Sequence, residues 1–232
     1  MKFLINILTG FFNLLYPKIC MSCSAHLVKN EEIICTKCLF ELPRTNFHTE
    51  KDNPISQLFW GKIDINIATA FYHFKKGSKF QDLIHRLKYH GKKEIGYALG
   101  KQLGYELKNS EFLKDVDYVI PVPLHPKKEK KRGYNQSDWI AFGIAEILGI
   151  EADTKSVFRK VQTETQTKKN RMERWKNVES IFGIKDYKKF ENKHVLIVDD
   201  VITTGATIEA CAQVLKEKCN IKISIAALAV AS

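Results

Sequence analysis

The chain has no apolar run long enough to cross a membrane. Its opening, MKFLINILTGFFNLLYP, is interrupted by Asn6, Gly10 and Asn13, and it falls short of the about 20 apolar residues that a spanning helix needs. No A-x-A-like cleavage site follows it, which argues against a secretory signal. No G-x-x-x-x-G-K-S/T occurs anywhere, so a P-loop nucleotide site is excluded. There is no internal repeat and no low-complexity tract, which removes solenoids and biased linker proteins. Acidic residues are in deficit, 26 Asp plus Glu against 37 Lys plus Arg, for a net charge of +11. That balance favours polyanionic partners such as phosphate esters, nucleic acid or acidic lipid without choosing among them.

What is present is a folding composition. With 232 residues, 44% of them hydrophobic, and 14 Phe and 8 Tyr, the chain buries a real core and has room for one medium α/β domain with a small appendage. Six cysteines stand at positions 20, 23, 35, 38, 211 and 219. The first four form two C-x-x-C pairs, not a scatter suited to disulfides, so a reducing, cytoplasmic setting is expected. Cys20, Cys23, Cys35 and Cys38 offer four soft ligands in two tight turns, as a tetrahedral structural zinc requires; free thiols or an iron centre are the alternatives. His26 is surplus to that set. Cys211 and Cys219, within and at the end of a predicted helix, read as small buried hydrophobes.

The spacing divides the chain into four parts: residues 1–17, 18–45, 46–62 and 63–232. Phe3, Leu4, Ile7, Leu8, Phe11, Phe12 and Leu15 recur at helical spacing before Pro17, which predicts an amphipathic helix over 1–17. Its polar face carries almost no Lys or Arg, so docking on its own domain is favoured over a membrane surface. Residues 18–45 are the cysteine module. Residues 46–62, with Lys51-Asp52-Asn53-Pro54, are expected to link. From 63 onward, strands are predicted at 67–74, 117–122, 157–158, 194–200 and 221–230. Helices are predicted over 80–108, broken near His90-Gly91, and at 135–148 and 207–218, with a polar loop after Val122. This alternation, with nearly continuous apolar strands, indicates an α/β fold with a parallel sheet covered on both faces.

The most informative string is VLIVDDVITTGATI. A buried strand delivers two acids at its carboxyl end, where open α/β sheets place ligands. The chain then passes through Thr203, Thr204, Gly205, Ala206 and Thr207 into a helix. The threonines offer hydroxyls, Gly205 permits close backbone approach, and the helix start offers unpaired N–H groups to a phosphate. Asp199 and Asp200 would repel that phosphate but can accept hydrogen bonds from ribose hydroxyls. A sugar with a phosphate at one end fits both halves.

This string resembles the signature of type I phosphoribosyltransferases. Pro121-Val122-Pro123-Leu124-His125, Arg132-Gly133-Tyr134-Asn135-Gln136 and the spaced set Thr163, Gln166, Glu173, Arg174, Asn177 and Phe182 resemble the competence protein F family, which also carries an N-terminal Cys-rich module. The resemblance spans nearly the whole chain. It implies the type I phosphoribosyltransferase fold with a small N-terminal four-cysteine zinc module, and phosphoribosyl pyrophosphate with magnesium, or a related sugar phosphate, as ligand. Asp199 and Asp200 would take the ribose hydroxyls, and Thr203 to Thr207 the 5′-phosphate. Val122, Pro123, Leu124 and His125, with Arg132 and a lysine from the run 127–131, would take the pyrophosphate; Lys88 is a further candidate for the same anion. Residues 162–177 occupy the place of the mobile catalytic loop, whose Lys168, Lys169, Arg171 and Arg174 would close over the leaving group. The catalytic set implied is Asp199, Asp200, Lys168, Arg171 and Arg174.

Two departures stand out: Thr167-Lys168-Lys169 where the family has small or Gly-Leu residues, and Lys128 where an arginine is common. The leading expectation is an enzyme that moves the 5-phosphoribosyl group of phosphoribosyl pyrophosphate to an unidentified nucleophile. The second, which the resemblance also implies, is a non-enzymatic factor handling single-stranded DNA in natural transformation, with the phosphoribosyl site kept for a regulatory ligand or strand ends. Basic tracts at 75–79, 127–132 and 168–176 would then line a strand, and Trp139 or Trp175 would stack on bases. A competence helicase and a recombination mediator enter as partners through the family alone. A decayed scaffold is the third reading, disfavoured by the intact acid pair and threonine loop.

Overall fold

The computed structural model describes residues 17–160 and 181–231. Its strands are β1 (Ala68–Phe74), β2 (Tyr118–Pro121), β3 (Glu151–Ala152), β4 (Val157–Arg159), β5 (Phe182–Ile184), β6 (His194–Ile202) and β7 (Lys222–Ala231). Its helices are α1 (Thr36–Glu41), α2 (Pro54–Gln57), α3 (Lys79–Tyr89), α4 (Lys93–Lys108), α5 (Pro126–Arg132), α6 (Gln136–Leu148) and α7 (Ala206–Lys218).

Side chains of β6 alternate between two covered faces. Leu196 and Val198 enter one core with Leu99 and Leu103 of α4 and Ile140 and Ile144 of α6. Val195 and Ile197 enter a second with Ile208, Cys211 and Leu215 of α7. Burial on both sides is what an inner strand of a parallel sheet demands. The five-stranded sheet runs β1-β7-β6-β2-β3, all parallel, with Val119 opposite Leu196 and Val198 opposite Ala226. β4 and β5 form a separate antiparallel pair, beyond which Lys160 N donates to Ile181 O at 2.9 Å.

The helices follow from local chemistry. Ser78 Oγ accepts from Gln81 N at 3.3 Å to start α3, and Phe80, Leu83, Ile84 and Leu87 form its fully inward stripe. The break expected near His90-Gly91 falls between α3 and α4, with Gly91 at φ +70°. Gly100 and Gly143 let α4 and α6 touch backbone to backbone, since a Cβ on either would collide with the facing helix.

Two stretches differ from the sequence-based expectation. The polar segment after Val122 is helical over Pro126–Arg132, with Pro126 in the first turn, His125 capping Lys127 N, and Gly133 closing the end in the left-handed region at φ +88°. Residues 46–62 carry a 3-10 turn at Phe47–Thr49 and the helix α2. Asn53, in the middle of the expected linker, is buried. It caps Ile55 N at 2.8 Å and donates to Ala68 O at 2.9 Å, fastening this stretch to β1. Phe59 beyond it is wholly buried. The cysteine module is fastened as well: Cys20, Ile34, Cys35, Cys38 and Leu42 share one buried cluster with Phe71, Tyr72 and Phe80. Cys211 and Cys219 are buried free thiols. Among the described residues, no helix is long and apolar enough to cross a membrane.

Candidate functional site

β2 and β6 end side by side, with Val122 N donating to Val198 O at 2.8 Å. The loop leaving β2 therefore lies next to the two acids closing β6. Between them is a cavity of about 250 Å³ lined by Asp199, Asp200, Thr207, Val122, Pro123 and Leu124. A wider groove, about 790 Å³, lies at the opposite ends of β6 and β7. Most of its charges are neutralised in pairs, Lys193 with Asp117 at 3.1 Å, Lys222 with Asp115 at 2.8 Å and Lys216 with Asp64 at 2.6 Å, leaving Lys51. The smaller cavity, whose cations mostly lack carboxylate partners, is the better candidate for an anionic ligand.

Each acid is anchored through one oxygen. Ser137 Oγ donates to Asp199 Oδ1 at 3.0 Å, and Asp200 N donates to the same atom at 2.8 Å. Gln136 Nε2 donates to Asp200 Oδ2 at 3.2 Å, where Lys88 Nζ also lies at 2.9 Å. Among the described residues, the other oxygen of each acid accepts no hydrogen bond. Burial, reinforced by the charge of Asp200 beside it, pushes the Asp199 carboxyl up to about 7.

Cations ring the same space. Lys88, Lys128, Arg132 and Arg159 all line it. Arg132 Nη1 is buried without a hydrogen-bond partner, while its guanidinium lies 5.8 Å from the centre of the Tyr89 ring. Because Arg132 lines the cavity, its charge is available to an anionic ligand.

The start of α7 lacks a side-chain cap, with Gly205 before it at φ +78°, so the first-turn amides of α7 depend on outside partners. Ala206 N meets only Thr204 Oγ1, at 3.4 Å. The conformation requires glycine, and a Cβ there would also lie 3.0 Å from the Phe59 ring. Thr203, Thr204, Ala206 and Thr207 are exposed, so packed side chains do not occlude the turn.

Of the residues singled out from sequence, Asp199, Asp200, Thr207, Val122, Pro123, Leu124, Arg132 and Lys88 meet on this cavity. Thr203, Thr204, Gly205 and Ala206 form the turn leading into it. His125 does not line it; its Nδ1 accepts from Lys127 N at 3.2 Å and starts α5. Lys168, Lys169, Arg171, Arg174 and Trp175, like the helix over 1–17 up to residue 16, lie outside the described residues. Sequence reasoning missed Tyr89, Ser137 and Arg159. Asn135 and Gln136 entered only as part of a motif. Arg159 precedes the 161–180 segment on β4 and packs 5.6 Å from the Phe182 ring, and nothing in its local sequence marks it.

The four module cysteines also converge. Their sulfur atoms all lie within 4.8 Å of one another, close to the about 3.8 Å edges that four thiolates make around zinc at about 2.3 Å. Cys35 N and Ser22 N donate to Cys20 Sγ at 3.3 and 3.4 Å, orienting a sulfur that is otherwise buried. The cluster could hold a metal ion. His26, exposed, takes no part in it.

Residues 140–231 match the phosphoribosyl transferase domain family. Similarity also extends to a DNA utilization protein YhgH of Shigella flexneri, 30% identical over 206 residues, 85% of this chain and 83% of that one. Competence protein F of Haemophilus influenzae is 32% identical over 139 residues, 58% of this chain and 61% of that one. Competence protein ComFC of Streptococcus pneumoniae is 28% identical over 200 residues, 86% and 81% of the two chains. Among solved structures, the glutamine phosphoribosylpyrophosphate amidotransferase from B. subtilis is 20% identical with a TM-score of 0.44, covering 62% of this chain and 30% of that one. The parallel sheet, the helices on both its faces and the matched domain define a phosphoribosyltransferase fold carrying an N-terminal four-cysteine module. With relatives this similar across most of both chains, the chain belongs to the competence protein F family.

Proposed function

We propose that the chain binds phosphoribosyl pyrophosphate and transfers its 5-phosphoribosyl group to a nucleophile. The observation that carries this reading is the meeting, on one cavity, of two half-anchored carboxylates with four cations and an uncapped helix start. The free oxygens of Asp199 and Asp200 accept the ribose hydroxyls. The amides of the α7 turn hold the 5′-phosphate, helped by Thr203, Thr204 and Thr207. The amides of the loop after β2, together with Arg132, Lys128 and Arg159, hold the pyrophosphate.

In the transfer, the bond from the ribose anomeric carbon to the pyrophosphate oxygen breaks. A bond to the acceptor forms, the acceptor proton leaves, and pyrophosphate departs with the electron pair. Positive charge gathers on the ribose ring as that bond lengthens, and the two acids below it stabilise that charge. The carboxylates of Asp199 and Asp200 on the cavity are hard oxygen ligands, which suits magnesium; they would hold it together with the substrate's own oxygens, and it would supply neutralisation of charge on the leaving group. In the N-terminal module, the four thiols fit zinc, and a reducing, cytoplasmic setting accords with them.

Titration calorimetry with magnesium phosphoribosyl pyrophosphate tests the assignment. Asp199→Asn and Asp200→Asn should each weaken binding by about tenfold or more, since each removes a charge-assisted hydrogen bond; unchanged affinity would contradict it. Pyrophosphate release measured against bases, ammonia and DNA ends identifies the acceptor. A second reading is favoured by α5, whose Lys127, Lys128, Lys130 and Lys131 are exposed and whose Lys128 reaches the cavity, in a chain whose relatives are named for DNA utilization and competence. A single strand would then lie along α5 and the sugar phosphate would regulate its binding. Steeply salt-dependent strand binding without pyrophosphate release distinguishes it from transfer.

A further inference from the structure

The first turn of α6 makes more bonds than a helix start requires. Asn135 Oδ1 caps the helix by accepting from Ser137 N at 3.3 Å. Its amide nitrogen then reaches in two other directions, to Val122 O at 3.1 Å and to Asp138 Oδ1 at 2.7 Å. The next two residues reach the acids, Gln136 Nε2 to Asp200 and Ser137 Oγ to Asp199. All three are at most 5% exposed. Three consecutive buried polar side chains are a poor choice for packing alone, because each group costs about 1–3 kcal/mol if left unsatisfied. Their contacts beyond the turn end on the β2–α5 loop or on the acid pair, apart from the bond to Asp138, and Asp138 faces the same amide. Burial pushes Asp138 up to about 7 against the pull of the Asn135 amide, which is the hydrogen-bond partner of its Oδ1.

We propose that Asn135, Gln136 and Ser137 are positioning residues that hold the anion loop after β2 and the acid pair near the end of β6 in one register, so that both ends of a single sugar phosphate are met together. The inference, which rests on the phosphoribosyl reading, divides the labour within the turn. Asn135 sets the pyrophosphate end by fixing the Val122 carbonyl, and with it the direction of the loop amides that follow. Ser137 and Gln136 set the ribose end by turning the free carboxylate oxygens into the cavity.

Two fragments separate these roles: magnesium pyrophosphate and ribose 5-phosphate, each titrated by calorimetry alongside intact phosphoribosyl pyrophosphate. Asn135→Ser keeps a capping oxygen but has no amide to reach Val122. It should weaken pyrophosphate by about tenfold and leave ribose 5-phosphate within about twofold. Ser137→Ala should do the reverse. Asp138→Asn retains an acceptor for the Asn135 amide and should bind both fragments like the parent, whereas Asp138→Ala should resemble Asn135→Ser. If the variants instead weaken both fragments equally, in proportion to a lowered melting temperature, the turn is merely structural and the inference is wrong. If the parent protein binds neither fragment nor the intact ligand, the phosphoribosyl reading fails and takes this one with it.

Discussion

Asp199 is held where an ionised carboxyl is uncomfortable, beside a second acid and only partly open to solvent. In the unfolded chain it ionises near its ordinary value of about 4, while in the fold it holds its proton up to about 7. Over that window the native state binds more protons than the unfolded state, so the sign is unfavourable: this group's contribution to stability is lost as pH rises from about 4 to about 7. Ligand binding runs the other way, because the ionised form is the better acceptor for ribose hydroxyls. Affinity for magnesium phosphoribosyl pyrophosphate should therefore climb between about pH 6 and 8. Part of the climb comes from the ligand's own phosphates, and the part owed to Asp199 should vanish in Asp199→Asn, measured by calorimetry at each pH. The acids were legible in sequence because a buried strand ending in two carboxylates has few structural uses. Their anchors were not, since Ser137 and Gln136 stand 62 and 64 residues away along the chain, and only the pairing of β2 with β6 brings them near.

Among the elements, α4 and α6 pack most closely, and glycine makes that possible. A Cβ at Gly100 would press on the Ile140 carbonyl, and one at Gly143 on the Tyr97 carbonyl. Backbone cannot swing aside as a side chain can. Gly100→Ala and Gly143→Ala should each lose about 1–3 kcal/mol from overpacking, despite alanine's better helix propensity, read as a lower urea midpoint with little change in slope. Strands and long helices were readable from periodicity, because burial on two faces or one leaves a repeating trace. The short elements were not. Lys127 to Arg132 reads as a charged loop, and its helix rests on the His125 cap and the Gly133 terminus more than on any apolar stripe. Lys51-Asp52-Asn53-Pro54 reads as a linker, yet Asn53 serves as a buried cap held to β1.

For the molecule as a whole, the cysteine module is no loose appendage. Three of its thiols sit in the cluster that also holds Phe71, Tyr72 and Phe80, so loss of a metal would open one wall of that core. Metal analysis of purified protein should find about one zinc per chain, and a strong chelator should lower the melting temperature of a single transition. Two transitions, with the upper one unmoved, would mean that the module unfolds by itself.

The arrangement of charge around the sheet has a kinetic consequence. At the amino-terminal ends of the strands, Lys193, Lys216 and Lys222 are each tied to an aspartate. At the carboxyl ends, Lys128, Arg132 and Arg159 have no carboxylate partner among the described residues. The local field is therefore lopsided, and a multiply charged anion diffusing nearby is drawn toward one side of the protein before touching it. Capture would be fast in dilute buffer and slower as ionic strength shortens the reach of that field.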